Sequence, residues 1–346
     1  MDLEGFTPED RMRATGEVCC LLNCDYFSIV KCYEDFVLKD TKDPSVVKMV
    51  ALVLDYANAG DLRKEIRNRK RANSPFEEHE AMLLFIQILL AVHHVHSRRM
   101  IHRDIKSANI LLCSNGLVKL GDFGFSRMYA ATVSDDVGRT FCGTPYYVAP
   151  EIWRRRPYSK KADMFSLGVL LYELLTLNRP FEGNTVEEVM MNTLSGRYEP
   201  LPSTISKELQ KIVAALLHPE PKKRPSSKKL LSTATCKLYM SVVQEIINEG
   251  EDGAVPPEDQ ARITTQLRET KEELLREYRD IPLPSASDII KSSPVVQFTT
   301  DKGRKQGYII YGAMLKSRAA ICRGSLGMCA FALKSVRTHW VYRSSS

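Results

Sequence analysis

The chain has 346 residues and a formal net charge of +7, with 44% hydrophobic and 26% charged residues. These proportions exclude wholesale disorder and a collagen-like fibre, and the length allows about two domains. No unbroken apolar run approaches the roughly 20 residues of a spanning helix; the greasiest stretch, Met164 to Leu177, is shorter and contains Glu173.

The excess charge sits at one end. Residues 302–346 carry nine Lys/Arg and no Asp/Glu, so the body before them is near neutral. A basic tail of this kind attracts anionic lipid or other acidic partners, or is simply a solvated end. The nine cysteines are an odd number and contain no Cys-x-x-Cys pair. They read as thiols in a reducing compartment, not as a disulfide framework or a zinc site.

Taken in order, Thr7, Pro8 and Asp10 make a helix start, with a cap, a first-turn proline and an acid at the capping-box position. This helix is predicted to run to about Leu22. Two β-rich runs follow, Ser28 to Leu38 and Val46 to Tyr56, and then a turn at Asn58-Ala59-Gly60-Asp61. Apolar residues recur at three- and four-residue intervals from Ala81 through Val95, which predicts a helix from about Glu77 to His96. His93, His94 and His96 close it as packing and surface residues.

Short strands are expected at 110–112 and 117–120. From Lys161 to Leu177 the pattern is apolar nearly all round, as in a helix buried in a core. Smaller helices continue to about Asn248, and a Gly- and acid-rich linker follows at 249–253. Residues 258–279 form a charged helix with Ile263, Leu267 and Leu274 on one seam, interrupted by Thr270 and Glu277. It is read first as a lone surface helix, with self-association through its seam as the alternative.

The chemistry lies in the middle of the chain. His102-Arg103-Asp104-Ile105-Lys106-Ser107-Ala108-Asn109 is followed by Asp122-Phe123-Gly124 and then by Ala149-Pro150-Glu151. Three such motifs in order, each beside a short strand or loop, form the pattern of a protein kinase. Gly143-Thr144-Pro145-Tyr146-Tyr147 and the buried helix carrying Asp163 strengthen it. Residues of about 5–235 resemble the NIMA-related Ser/Thr kinases. That resemblance implies an α+β, bilobal kinase-like fold. Residues 1–56 would be a partial β-rich N-lobe and 57–248 a mainly helical C-lobe. A charged helical linker would occupy 249–287 and a basic tail 288–346.

Phosphoryl transfer requires the γ-phosphate, Mg²⁺ and a substrate hydroxyl to be held in line, with the developing charge neutralised. By the resemblance, Asp104 takes the hydroxyl proton and Lys106 touches the γ-phosphate. Asn109 and Asp122 are hard oxygen ligands for Mg²⁺. For ATP, Leu54 backs the adenine pocket, Asp55 and Ala57 offer hinge backbone groups, Asp61 reaches the ribose and Leu111 forms the floor. Glu17 matches the helix-C glutamate. Leu21, Phe123 and His102 make an internal spine, and Glu151 pairs with Arg224. Thr140 is the expected activating phosphosite, ahead of the Thr144 anchor, with Arg103 receiving its phosphate.

The departure from the family is at the start. Before residue 60 the glycines are Gly5 and Gly16, and the first lysine is Lys31. The phosphate-covering Gly-rich loop and the third-strand lysine are therefore missing. The expectation is that the coding sequence extends upstream of Met1, and that the chain as written turns ATP over weakly at best. The competing reading is a catalytically dead kinase-like scaffold. The expected partners are proteins presenting Ser or Thr, with no specific nucleic-acid binding, and the expected location is cytoplasmic and cytoskeleton-associated. Residues 307–316 resemble the opening strands of a pleckstrin-homology domain, with too few residues after them for a complete one.

Overall fold

The computed structural model describes residues 18, 20–39, 47–124, 126–128, 144–157, 159–249, 255–275, 297–299 and 305–307. The expectations for the helix start at Thr7, for Glu17, for Thr140, for residues 250–253 of the linker and for residues 308–346 lie outside them.

Residues 20–22 end a helix where one was expected to end. Strands β1 (Cys32–Lys39) and β2 (Val47–Leu54) pair antiparallel, with Cys32 opposite Leu54 and Lys39 opposite Val47. The expected partial β-rich lobe takes the form of this one hairpin. Its apolar residues Tyr33, Phe36, Val53 and Leu54 are 41–56% exposed, since two strands alone cannot close over both faces.

The chain crosses to the larger lobe through Gly60, whose φ of +79° suits a residue without Cβ. Asp61 then caps α1 (Leu62–Arg71) by accepting the Lys64 N–H at 2.8 Å. Helix α2 (Glu78–Ser97) opens on a capping box between Glu77 and Glu80. By length and composition it is apolar enough to cross a membrane, which corrects the choice of Met164 to Leu177 as the greasiest stretch. However, 94% of that apolar stretch is buried inside the fold, so α2 is a core helix.

Short pairs follow: β3 (Met100–Ile101) with β6 (Arg127–Met128), and β4 (Ile110–Leu112) with β5 (Val118–Leu120). Next come α3 (Pro150–Trp153), α4 (Lys160–Thr176), α5 (Val186–Ser195), α6 (Lys207–Leu216), α7 (Ser227–Leu231) and α8 (Ala234–Glu249). Helices α2 and α4 pack together at the centre, and α7 and α8 cover the far side of α2. Burial on several sides is why both helices read as apolar nearly all round.

Helix α4 also packs on α6, and Gly168 sets their approach. A Cβ there would lie 2.7 Å from Leu216 Cβ and 3.0 Å from Leu217 Cδ2. Alanine's better helix propensity, about 1 kcal/mol, is outweighed by an overpacking cost of about 1–3 kcal/mol. Gly168→Ala is therefore expected to lower the thermal midpoint by a few degrees, which a melting curve would check.

Helix α9 (Pro257–Leu275) is not a lone surface helix. Its seam residues Ile263, Leu267 and Leu274 are at most 1% exposed, and α9 packs along α8. Thr270, which interrupted the apolar seam, is buried and meets the Tyr26 hydroxyl at 3.1 Å. The seam is thus used within the chain. A final short hairpin joins β7 (Gln297–Thr299) to β8 (Lys305–Gly307).

Candidate active site

Buried Asp163, near the start of α4, organises the catalytic loop. Its two carboxylate oxygens accept the His102 and Arg103 backbone N–H groups, each at 2.9 Å, and His96 Nε2 lies 2.8 Å away. Burial by itself would raise this carboxyl. Hydrogen bonds from His96 and the His102 backbone outweigh it and hold Asp163 below the usual carboxylate range. The anchor matters because Arg103 sits at φ +71°, a conformation that costs a side-chain-bearing residue on the order of 1 kcal/mol.

Beyond this bend the predicted residues converge. The Asp104 carboxylate is almost fully buried. It accepts from Lys106 Nζ at 2.5 Å and from Asn109 Nδ2 at 3.0 Å. Asn109 Nδ2 also donates to the Asp104 carbonyl at 2.9 Å, so the amide oxygen Oδ1 is the acceptor end of this side chain.

The Gly121 N–H donates to the Asn109 carbonyl at 2.9 Å, and His102 Nε2 lies 3.2 Å from the Gly121 carbonyl. The loop carrying Asp122 is therefore laced to the loop carrying Asp104. Asp122 is exposed, has φ +59°, and accepts the Gly124 N–H at 3.3 Å. Phe123 is buried edge-on against His102, with ring centroids 4.9 Å apart, and Leu21 lies in the same core. Burial lowers the pKa of the His102 imidazole.

Asn109 and Asp122 supply two hard oxygen donors at an open edge, one of them a carboxylate. That suits Mg²⁺, which keeps waters and substrate phosphates as its other ligands. Among the described residues no group of three or more His, Cys, Asp or Glu could hold a metal. His93, His94 and His96 are all buried: His93 Nδ1 lies 3.2 Å from Ser227 Oγ, the His94 ring lies 4.6 Å from that of Tyr26, and His96 bonds Asp163.

The residues expected to hold the nucleotide begin at the end of β2. Leu54 ends β2 and is partly exposed. The Asp55 carboxylate is taken up by other elements. It accepts from Lys119 Nζ at 2.8 Å, the Lys31 N–H at 2.9 Å and the Tyr33 hydroxyl at 2.8 Å. Burial pushes this carboxyl up, but these three donors leave it below the ordinary range. Asp55 thus fixes the hinge by its side chain, and the carboxylate itself is not available to adenine.

Asp61 is committed in part to its capping bond, and it bridges to Leu111. Leu111, Val30 and Gly121 meet: a Cβ on Gly121 would lie 3.3 Å from Val30 Cγ2 and 3.6 Å from Leu111 Cδ1. Ala57 is half-buried.

The activation segment is described again from Thr144, which caps a 3₁₀ turn over Pro145–Tyr147. Thr144 lines a water-sized cavity of about 10 Å³ together with Arg103, Asp104 and Asp163. Glu151 and Arg224 form a bidentate pair with both distances 2.7 Å, and the Arg224 side chain is 0% exposed.

Two sets of residues escaped the sequence reading. Lys119 ties to Asp55 from 64 positions away, and no local pattern in the strand expected at 117–120 signals that pairing. Tyr147 was quoted in a motif without a role. Its hydroxyl donates to Glu173 and lies 2.9 Å from Ser107 Oγ, locking the activation segment to the catalytic loop. Burial raises both the Tyr147 phenol and the Glu173 carboxyl.

Residues 2–235 match the family described as protein kinase domain. The chain is 44% identical over 252 residues to putative serine/threonine-protein kinase A of Trypanosoma brucei brucei, covering 72% of this chain and 57% of that protein. It is 44% identical over 227 residues to putative serine/threonine-protein kinase B of the same organism, covering 65% and 51%. To serine/threonine-protein kinase Nek3 of Mus musculus it is 40% identical over 207 residues, covering 57% and 40%. The chain spans about half the length of the curated relatives it matches. A family match over residues 2–235, on a catalytic loop folded around Asp104, Asn109 and Asp163, places the chain in the protein kinase family.

Proposed function

We propose that this site transfers the γ-phosphate of ATP to Ser and Thr hydroxyls of proteins. One observation carries the reading: a buried Asp104 carboxylate held between Lys106 at 2.5 Å and Asn109 at 3.0 Å, next to the Asp122 loop. The similarity to chains named as serine/threonine kinases points the same way.

In this reading Asp104 accepts the proton of the incoming hydroxyl. Lys106, already at its side, neutralises charge on the transferred group. Asn109 and Asp122 would hold Mg²⁺, which supplies charge neutralisation on the phosphate oxygens when bound. The hinge backbone at Asp55 and Ala57 orients adenine, Asp61 faces the ribose, and Leu111 supports the ring from below. Tyr147 and Ser107 keep the substrate-side segment against the catalytic loop. A phosphate on Thr140 would bring close to two negative charges to Arg103, whose backbone Asp163 already fixes.

The test is to incubate the full chain with Mg²⁺, γ-labelled ATP and a library of Ser-, Thr- and Tyr-containing peptides, and then to identify the labelled amino acids. Label on Ser and Thr is the expected result. Label on Tyr alone, or nucleotide binding without any transfer, would overturn it; the second result is what a dead scaffold would give.

A further inference from the structure

Helix α9 lies outside the matched residues 2–235, yet it grips the chain just upstream of the hairpin. Gln266 Oε1 accepts the Phe27 N–H at 2.8 Å, and Gln266 Nε2 donates to the Asp25 carbonyl at 3.1 Å. Thr270 meets the buried Tyr26 hydroxyl at 3.1 Å, and Arg262 reaches the Asp25 carboxylate at 3.0 Å. Three consecutive residues, 25 to 27, are thus held by side chains more than 230 positions later.

What those residues lead to is the nucleotide site. The Ile29 N–H donates back to the Tyr26 carbonyl at 3.0 Å, closing the turn. Ser28 then accepts the Leu120 N–H at 2.8 Å, and the Val30 N–H donates to the Leu120 carbonyl at 3.0 Å. Asp122 is two residues beyond Leu120, at a left-handed φ that its surroundings must hold. Leu21, whose carbonyl accepts the Cys24 N–H, shares the core with Phe123.

Beside the grip, a polar cavity of about 170 Å³ separates α9 from α2, with His93, His94, Arg98, Glu269 and Glu273 on its walls. On this side α9 is therefore held by a few directed bonds and not by dry packing.

We propose that α9 is a positioning element of the phosphotransfer site. Gln266 and Thr270 fix the turn at residues 25–27, and through it the bridge of Ser28 and Val30 to Leu120 that carries Asp122. This rests on the reading of Asp122 as a nucleotide-site residue, but its test needs neither nucleotide nor turnover.

The experiment is amide hydrogen exchange on the full chain, comparing Gln266→Ala, Thr270→Val, Thr270→Ser and Arg262→Ala with the unaltered protein. The controls are Thr264→Ala and Lys271→Ala, which remove contacts of α9 to Asn248 and Gln244 on α8. Losing one or two such bonds should speed exchange at the Leu120 and Val30 amides by about fivefold or more. Thr270→Ser should keep protection, and the α8-side controls should stay within about twofold. Arg262→Ala, which removes ion pairs to the exposed Asp25 carboxylate and to Asp259 of its own helix, gives a smaller local rise and keeps the comparison available if Gln266→Ala does not fold. Unchanged exchange at Leu120 and Val30 in both Gln266→Ala and Thr270→Val would overturn the proposal. So would an equal rise at the Val213 amide in α6, which would mark general loosening. A chain that fails to transfer phosphate while showing the local rise would count against the proposed function and not against this coupling.

Discussion

Asp122→Ala is expected to abolish Mg²⁺-dependent ATP binding in the full chain, and phosphotransfer with it. The carboxylate is exposed at the site edge, where Gly121 is held by Asn109 and His102, so its removal leaves the loop in place and takes away a metal donor. Charge neutralisation by the metal is worth several kcal/mol, so transfer should fall on the order of a thousandfold. The variant should melt near the unaltered protein because the Asp122 side chain is not part of the core. Calorimetric titration with ATP, with and without Mg²⁺, checks the binding half. Retained Mg²⁺-dependent affinity in Asp122→Ala would remove this residue from the metal site.

Arg224→Met carries the largest expected effect on stability. Its guanidinium is 0% exposed, holds both Glu151 oxygens at 2.7 Å, and donates to the carbonyls of His218 and Lys161. Breaking a buried pair by removing one partner costs about 3–5 kcal/mol, since an uncompensated charge remains inside. Glu151→Gln combined with Arg224→Met should cost less than the sum of the single changes, because neither charge is then stranded. Urea unfolding of the two singles and the double measures this. Strict additivity would show that the pair does not act as a unit.

The sequence was most legible where one local pattern decides the structure. Helix α2 was readable because its apolar residues repeat at helical spacing, and α4 because its residues are apolar nearly all round; their starts are set by the N-caps Glu77 and Ser159. The catalytic loop was readable because its chemistry is packed into eight consecutive residues. What stayed hidden depends on partners far away in the chain. Nothing near Lys119 announces Asp55, and nothing near Ser107 announces Tyr147 and Glu173. The reading of α9 failed for an instructive reason. Thr270 breaks a heptad, which argued against any buried seam, but the polar side chain sits there to meet Tyr26 across 244 positions. A sequence pattern shows that a face is mixed and does not show that another element supplies the matching hydroxyl.

The most direct measurement is label transfer from γ-labelled ATP to Ser/Thr peptide by the full chain and by Asp104→Asn, side by side under saturating Mg²⁺. Asparagine keeps the shape and can still accept from Asn109, but it removes the charge paired with Lys106 and the base for the hydroxyl proton. Transfer by the unaltered chain, although weak, should still stand clear of background. In Asp104→Asn it should fall about 10²–10⁴-fold while ATP binding stays within a few fold. Transfer that survives Asp104→Asn within about threefold, or that is absent from the unaltered chain while ATP still binds, would contradict a phosphotransfer role for this site.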